Sequence, residues 1–177
     1  MNLAYTLSEN DFLTFQLFNV STSGRLQKRK TRARILFPVA FLGLAIVFYL
    51  DSDTRMSAYF VGCALIFGLF YGKYMNWRYK FHYIKQVKHY YSDLFGNHIR
   101  IELQDDYIFT QDSTSEAKVK ISEIEVINEI SSHFFVKVSN ANSLIIPKNQ
   151  QVDALALKNR FKELNIDINE CLDWKWS

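Results

Sequence analysis

Ile35-Leu-Phe-Pro-Val-Ala-Phe-Leu-Gly-Leu-Ala-Ile-Val-Phe-Tyr-Leu50, followed five residues later by Met56-Ser-Ala-Tyr-Phe-Val-Gly-Cys-Ala-Leu-Ile-Phe-Gly-Leu-Phe-Tyr-Gly-Lys-Tyr-Met75, decides the fold. The first run is sixteen residues without a charge, and the second carries only Lys73 near its end. At about 1.5 Å of rise per residue such helices reach roughly 24–30 Å, against a hydrocarbon core of about 30 Å. The connection Asp51-Ser-Asp-Thr-Arg55 is too short for anything but an antiparallel turn. A soluble helix keeps a polar face and Ile35–Leu50 has none, so the pair reads as a transmembrane hairpin. The competing reading is a helical hairpin buried inside a soluble domain.

Lys and Arg are retained on the cytoplasmic side of a membrane, so charge at the span ends sets orientation. Arg25, Lys28, Arg29, Lys30, Arg32 and Arg34 precede the first run; Lys73, Arg78, Lys80, Lys85 and Lys88 follow or end the second. The connecting loop sets only Arg55 against Asp51 and Asp53. Both flanks are therefore expected in the cytoplasm and the loop outside. The stretch Arg25–Arg34 looks like a nuclear localisation signal, but it runs directly into a span and reads as an anchor drawn to anionic lipid headgroups.

Residues 1–90 carry twelve Lys/Arg and four Asp/Glu, a net +8, whereas residues 91–177 carry nine and fourteen, a net −5. Basic residues that border the spans, with an acidic remainder, argue for membrane apposition and against nucleic acid. The 34 mostly polar residues before the first run exceed a secretory n-region, so the first span is expected to act as an uncleaved insertion signal. Two cysteines, Cys63 within the second run and Cys171 far from it, provide neither a disulfide framework nor a thiolate metal site.

Leu3–Leu7 is strand-like, and Ser8 with Asp11 has capping-box spacing for a helix from about Glu9 to Ser21. Its aromatic side has three candidate partners: the membrane surface, the hairpin or a later domain. Pro38 is expected in the first turn of its span, where a missing N–H costs little. Ala58, Gly62, Ala64, Gly68 and Gly72 share one side of the second span and allow close helix approach. The partner there is either the first span or, as the alternative, a second copy of the chain in a homodimer. Tyr74–Tyr83 is rich in aromatic and basic residues, so Trp77, Tyr79 and Tyr83 are candidate membrane-interface residues on an exit helix extending to about Phe95.

From His98 the apolar period changes to two. Ile99/Ile101/Leu103, Tyr107/Phe109, Val119/Ile121, Ile124/Val126 and Phe134/Val136/Val138 alternate with polar residues, separated by turn chemistry at Gln104–Asp106, Gln111–Ser115, Ser131–Ser132 and Ser139–Asn142. Leu144–Ile146 makes a last strand before Pro147. Asp153 caps a helix to Leu164, with Leu155, Leu157, Phe161 and Leu164 read as one side. The resulting division is 1–34 (strand, amphipathic helix, basic segment), 35–75 (hairpin), 76–97 (exit helix) and 98–177 (antiparallel sheet plus C-terminal helix), a membrane α+β chain.

Tyr5-Thr-Leu-Ser-Glu-Asn-Asp-Phe12, the basic stretch entering the hairpin and above all Ser143-Leu-Ile-Ile-Pro-Lys148 before the final helix resemble the bacterial YcxB-like family. That resemblance implies two membrane helices in the inner membrane and a cytoplasmic domain likened to the pleckstrin-homology (PH) fold, with no catalytic residues to transfer. A PH-like core calls for seven strands and a capping helix, and Leu3–Leu7 is the candidate seventh. Lys148 is the family-like basic residue and a candidate contact for a lipid phosphate.

His82, His89, His98 and His133 show no i,i+4 metal-ligand pair, and no phosphate loop, dinucleotide fingerprint or nucleophile elbow occurs. Glu123, Glu125 and Glu129 form the clearest acidic group; with Ile124 and Val126 pointing inward, Glu123 and Glu125 share the outer face of their strand, read as a solvated face or, as the alternative, a partner-binding surface. No cofactor is implied. The first functional expectation is a non-enzymatic inner-membrane protein presenting a PH-like module to membrane lipids or a protein partner. An immunity protein that blocks a membrane-targeting toxin is the second, and a membrane-associated enzyme the third, disfavoured because the spans lack ionisable groups apart from Lys73.

Overall fold

A computed structural model describes residues 1–113, 115–139 and 143–176, apart from the side chains of Arg25, Leu26, Arg29 and Lys30. The expected turn at Ser139–Asn142 thus falls largely outside the described residues. Two units emerge: residues 1–15 with 86–175, and residues 16–85 with Trp176. The first fifteen residues join the C-terminal half, while the basic stretch stays with the apolar helices.

In the first unit, β1 (Asn2–Thr6) leads into α1 (Glu9–Thr22), which continues into the second unit. Ser8 precedes the first turn of α1, and the Asp11 carboxylate reaches back to it: the Ser8 N–H and hydroxyl both donate to Asp11 Oδ2, at 2.7 and 2.8 Å. In the second unit, α2 (Gly24–Leu50) and α3 (Thr54–Tyr90) are joined by a turn in which Ser52 has φ 62°. Helix α2 starts well before the apolar run, so Pro38 stands in the helix interior and not in a first turn. Its ring removes the N–H that the Arg34 carbonyl would otherwise receive.

The hairpin packs through aromatic and small residues. Phe37 meets Phe67 and Tyr71 at 5.9 and 5.8 Å between ring centroids, Phe41 meets Phe67 at 5.2 Å, and Phe48 stacks on Phe60 at 5.4 Å. Ala45 and Ala64 are buried between these rings' levels. Outside that seam the apolar residues are exposed, with Leu36 65%, Leu50 78% and Leu69 70% accessible.

After α3 the chain forms β2 (His98–Leu103), β3 (Tyr107–Gln111), β4 (Glu116–Lys120), β5 (Ile124–Glu129), β6 (His133–Val138), β7 (Ser143–Pro147), α4 (Ala154–Glu163) and β8 (Ile168–Glu170). Among the described residues two four-stranded sheets form, in the orders β1-β2-β3-β4 and β7-β6-β5-β8. β1 pairs antiparallel with β2, Leu3 opposite Ile101 and Tyr5 opposite Ile99, so strand residues from both sides of the hairpin share one sheet. Gly96 secures the entry to β2: at φ +77° it occupies a conformation that side chains disfavour, and its N–H donates to Leu7 O at 2.9 Å.

β6 departs from the expected alternation. His133, Phe134, Phe135 and Val136 are all buried because both faces of the strand are covered. Phe134 meets Phe161 of α4 edge-on at 6.0 Å, and Phe135 meets Phe15 of α1 at 5.3 Å. The aromatic side of α1 thereby finds a partner in the domain: Phe12 also stacks on Tyr91 at 4.9 Å.

α4 begins where Asp153 accepts from Leu155 and Ala156 N–H at 3.1 and 3.0 Å. It buries Leu157 and Phe161, whereas Leu155 is 71% exposed. At about 100° per residue Leu155 lies roughly 160° round the helix from Leu157, so the four leucine and phenylalanine positions never formed one side. β8 was not expected from the sequence; it adds in parallel to β5, Ile127 opposite Ile168.

Candidate functional site

Glu129 is the buried charge around which the second sheet is organised. It stands at the end of β5, two residues after the fully buried Ile127 and on the same face. Lys148, just past β7, brings its Nζ to 2.7 Å from Oε1, and Lys158 of α4 brings its Nζ to 2.7 Å from Oε2. Lys158 also reaches Glu170 of β8 at 2.7 Å. Burial alone would raise the Glu129 pKa, but hydrogen bonds from Lys148 and Lys158, and then their charges, hold it below the usual carboxylate range. The hydrogen bonds to Glu129 and Glu170 in turn raise Lys158. A carboxylate held ionised by two ammonium groups neither donates nor accepts a proton readily near neutrality. Its chemistry is that of a clamp joining β5, β7, α4 and β8.

Lys148 is therefore not displayed to a lipid phosphate: its side chain is 14% exposed, paired with Glu129, and its Nζ lies 4.5 Å from the centroid of the Phe134 ring. Glu129, the third member of the acidic group, is buried, 5% exposed. Glu125 does stay exposed, paired with Lys137 at 2.5 Å.

A second clamp joins α1 to β6. His133, 3% exposed, has Nε2 at 2.9 Å from Asp11 Oδ1 and Nδ1 at 2.8 Å from Ser132 Oγ. Burial opposes ionisation of Asp11, but the hydrogen bonds from His133 and Ser8 outweigh it and lower its pKa. This Ser–His–Asp line was invisible in the sequence because 122 residues separate Asp11 from His133. Asp11 already receives Ser8 on its other oxygen, and Ser132 neighbours the histidine in the chain, so the line holds an element in place. Among the described residues no three His, Cys, Asp or Glu side chains gather as a metal site.

In the hairpin unit, Lys28, Arg32 and Arg34 lie exposed on α2, while the side chains of Arg25, Arg29 and Lys30 fall outside the described residues. Of the small residues on α3, Gly68 faces α2, with Pro38 Cγ 3.9 Å from where its Cβ would lie, and Ala64 is buried. Ala58 is exposed, and a Cβ on Gly62 or Gly72 would meet nothing within 4 Å. Trp77 is 64% exposed and stacks on Phe81 at 5.9 Å; Tyr79 and Tyr83 are half-buried. At the basic end of the hairpin, Gln27, Thr31 and Arg34 from α2 and Gly72, Lys73 and Asn76 from α3 line a cleft of about 420 Å³. The structure thus brings Arg34 and Lys73 to one cavity, a pairing that spacing along the chain does not disclose.

Residues 103–164, from the last residue of β2 through α4, match the family model described as YcxB-like protein, the family that the chain resembles in its Ser143–Lys148 segment. No curated protein matches the chain.

Proposed function

We propose that this YcxB-like chain is a non-enzymatic integral protein of the bacterial inner membrane that holds a PH-like module at the cytoplasmic face to bind lipid or a protein partner. The observation that carries the reading is the exposure of the two apolar helices: in each window long and apolar enough to cross a membrane, only 6% of residues are buried. A core helix of a soluble protein is mostly covered by protein; these helices leave their apolar surface for another apolar medium.

Two features support this topology. The cationic residues flank the outer ends of the spans. The β1–β2 pairing also requires residues 2–6 and 98–103 to meet in one compartment, which only an even number of crossings permits. The PH-like reading is supported by the order of β1 to β7 in two antiparallel sheets with α4 packed on the second. The two clamps consume the domain's buried charges internally, which favours a binding module over a catalyst.

Membrane extraction at alkaline pH and cysteine accessibility test the proposal together. In a Cys63→Ser, Cys171→Ser background the protein should stay in the membrane pellet. Ser52→Cys should react with an impermeant maleimide in intact spheroplasts, and Glu116→Cys only after lysis. Release at alkaline pH, or the reverse labelling, would overturn the reading.

A further inference from the structure

We infer that the cleft between α2 and α3 binds the phosphate of an anionic membrane lipid, with Arg34 and Lys73 as its cationic pair; this deepens the membrane reading above and rests on it. The first support is charge without a counter-ion. Between Asp11 and Asp51, and again between Asp53 and Asp93, the sequence contains no Asp or Glu. Neither Arg34 nor Lys73 makes an ion pair among the described residues. The anion that balances them comes from outside the hairpin.

Shape is the second support. Gly72 contributes no side chain, and a Cβ there would meet nothing within 4 Å, so the cleft stays open on the α3 side. Tyr71, which lines it, is packed by Phe37 with ring centroids 5.8 Å apart. Gln27, Thr31 and Asn76 add hydrogen-bonding groups around the cations.

The third support is the change of polarity along α3. Leu69, 70% exposed, and Lys73 both line the cleft, one helical turn or about 6 Å apart. An acyl chain beside Leu69 and a phosphate at Lys73 reproduce the boundary between hydrocarbon and headgroup. Arg34 offers a planar fork to phosphate oxygens and Lys73 a compact charge. A choline headgroup would bring a like charge to both. Inorganic phosphate shares the anion chemistry but has no use for the apolar wall.

The test is native mass spectrometry of the full chain in maltoside micelles titrated with dioleoyl phosphatidylglycerol, dioleoyl phosphatidylcholine or inorganic phosphate. Saturable phosphatidylglycerol adducts are expected, with Arg34→Gln/Lys73→Gln weakening them about 25-fold, roughly fivefold for each cation. Arg78→Gln/Lys80→Gln removes the same charge from exposed positions outside the cleft and should leave them near the wild-type level. Gly72→Phe should block binding by filling the cavity with the cations intact. Equal weakening by both double variants would indicate a diffuse basic surface and overturn the cleft; displacement of the lipid by inorganic phosphate would overturn the lipid assignment. Alkaline extraction of the same proteins separates the two levels. Retention of wild type with unchanged lipid binding by the cleft variants defeats the cleft alone, whereas release of wild type defeats the anchoring reading and this inference with it.

Discussion

The Tyr5 hydroxyl donates to the Ile145 carbonyl at 2.8 Å, joining β1 in one sheet to β7 in the other across 140 residues of chain. Tyr5 is 2% exposed, and burial pushes its phenol well above the ordinary tyrosine range, so it remains a donor at any workable pH. Tyr5→Phe keeps the ring and strands a buried acceptor. The expected loss is about 1–2 kcal/mol, read as a lower thermal midpoint of the full chain in micelles.

Glu129→Ala should cost about 3 kcal/mol, because it strips Lys148 of its carboxylate partner and leaves Lys158 with Glu170 alone. The figure sits at the low end for a broken buried pair because both lysines retain some exposure and can turn toward water. Glu125→Ala, which breaks the exposed pair with Lys137, should cost less than about 1 kcal/mol. Parallel denaturation of the two variants checks the contrast.

Acid should loosen the domain in a defined direction. Glu129 and Asp11 both have folded pKa values below their ordinary ones. Their stabilisation is therefore complete above the unfolded carboxylate range near pH 4 and disappears as pH falls through the lower folded values. Asp11→Asn should flatten the acid limb of stability measured from about pH 6 to pH 3, while lowering stability near neutrality.

Gly68→Leu should disturb the hairpin, since its side chain would run into Pro38, and Ala64→Leu should do so more strongly from its buried position. Gly62→Ala meets open space and removes a flexible residue from a helix, so it should be neutral or stabilising by up to about 1 kcal/mol. Melting of the three variants in one detergent ranks them.

Local signals carried much of the architecture. Ser8 and Asp11 announced α1, Asp153 announced α4, and Leu3–Leu7 correctly marked a strand, whose partner β2 lies beyond the hairpin. β8 escaped because Ile168-Asn-Glu170 has a single apolar residue and gains its pairing only from β5. Long-range electrostatics escaped as well: Glu129 meets Lys148 and Lys158 through folding, and no spacing rule links them. A hint was present in the alternation of Ile127 and Glu129, which places the carboxylate on the inward face of β5. The cleft was half legible. Arg34 and Lys73 each stood out as charges bordering an apolar run, but Gly72 acquires meaning as a vacancy only once two helices lie side by side.

The β1–β2 pairing also imposes a timetable on biosynthesis. Thr6 is made long before His98, its partner, and at roughly 5–20 residues per second the intervening chain takes about 5–20 s to synthesise. During that interval Leu3, Tyr5, Phe12 and Phe15 have no sheet to cover them. Until His98 emerges the nascent chain thus carries an uncovered sticky segment ahead of its apolar hairpin, and a ribosome that stalls before that point leaves behind a fragment with the surface still exposed.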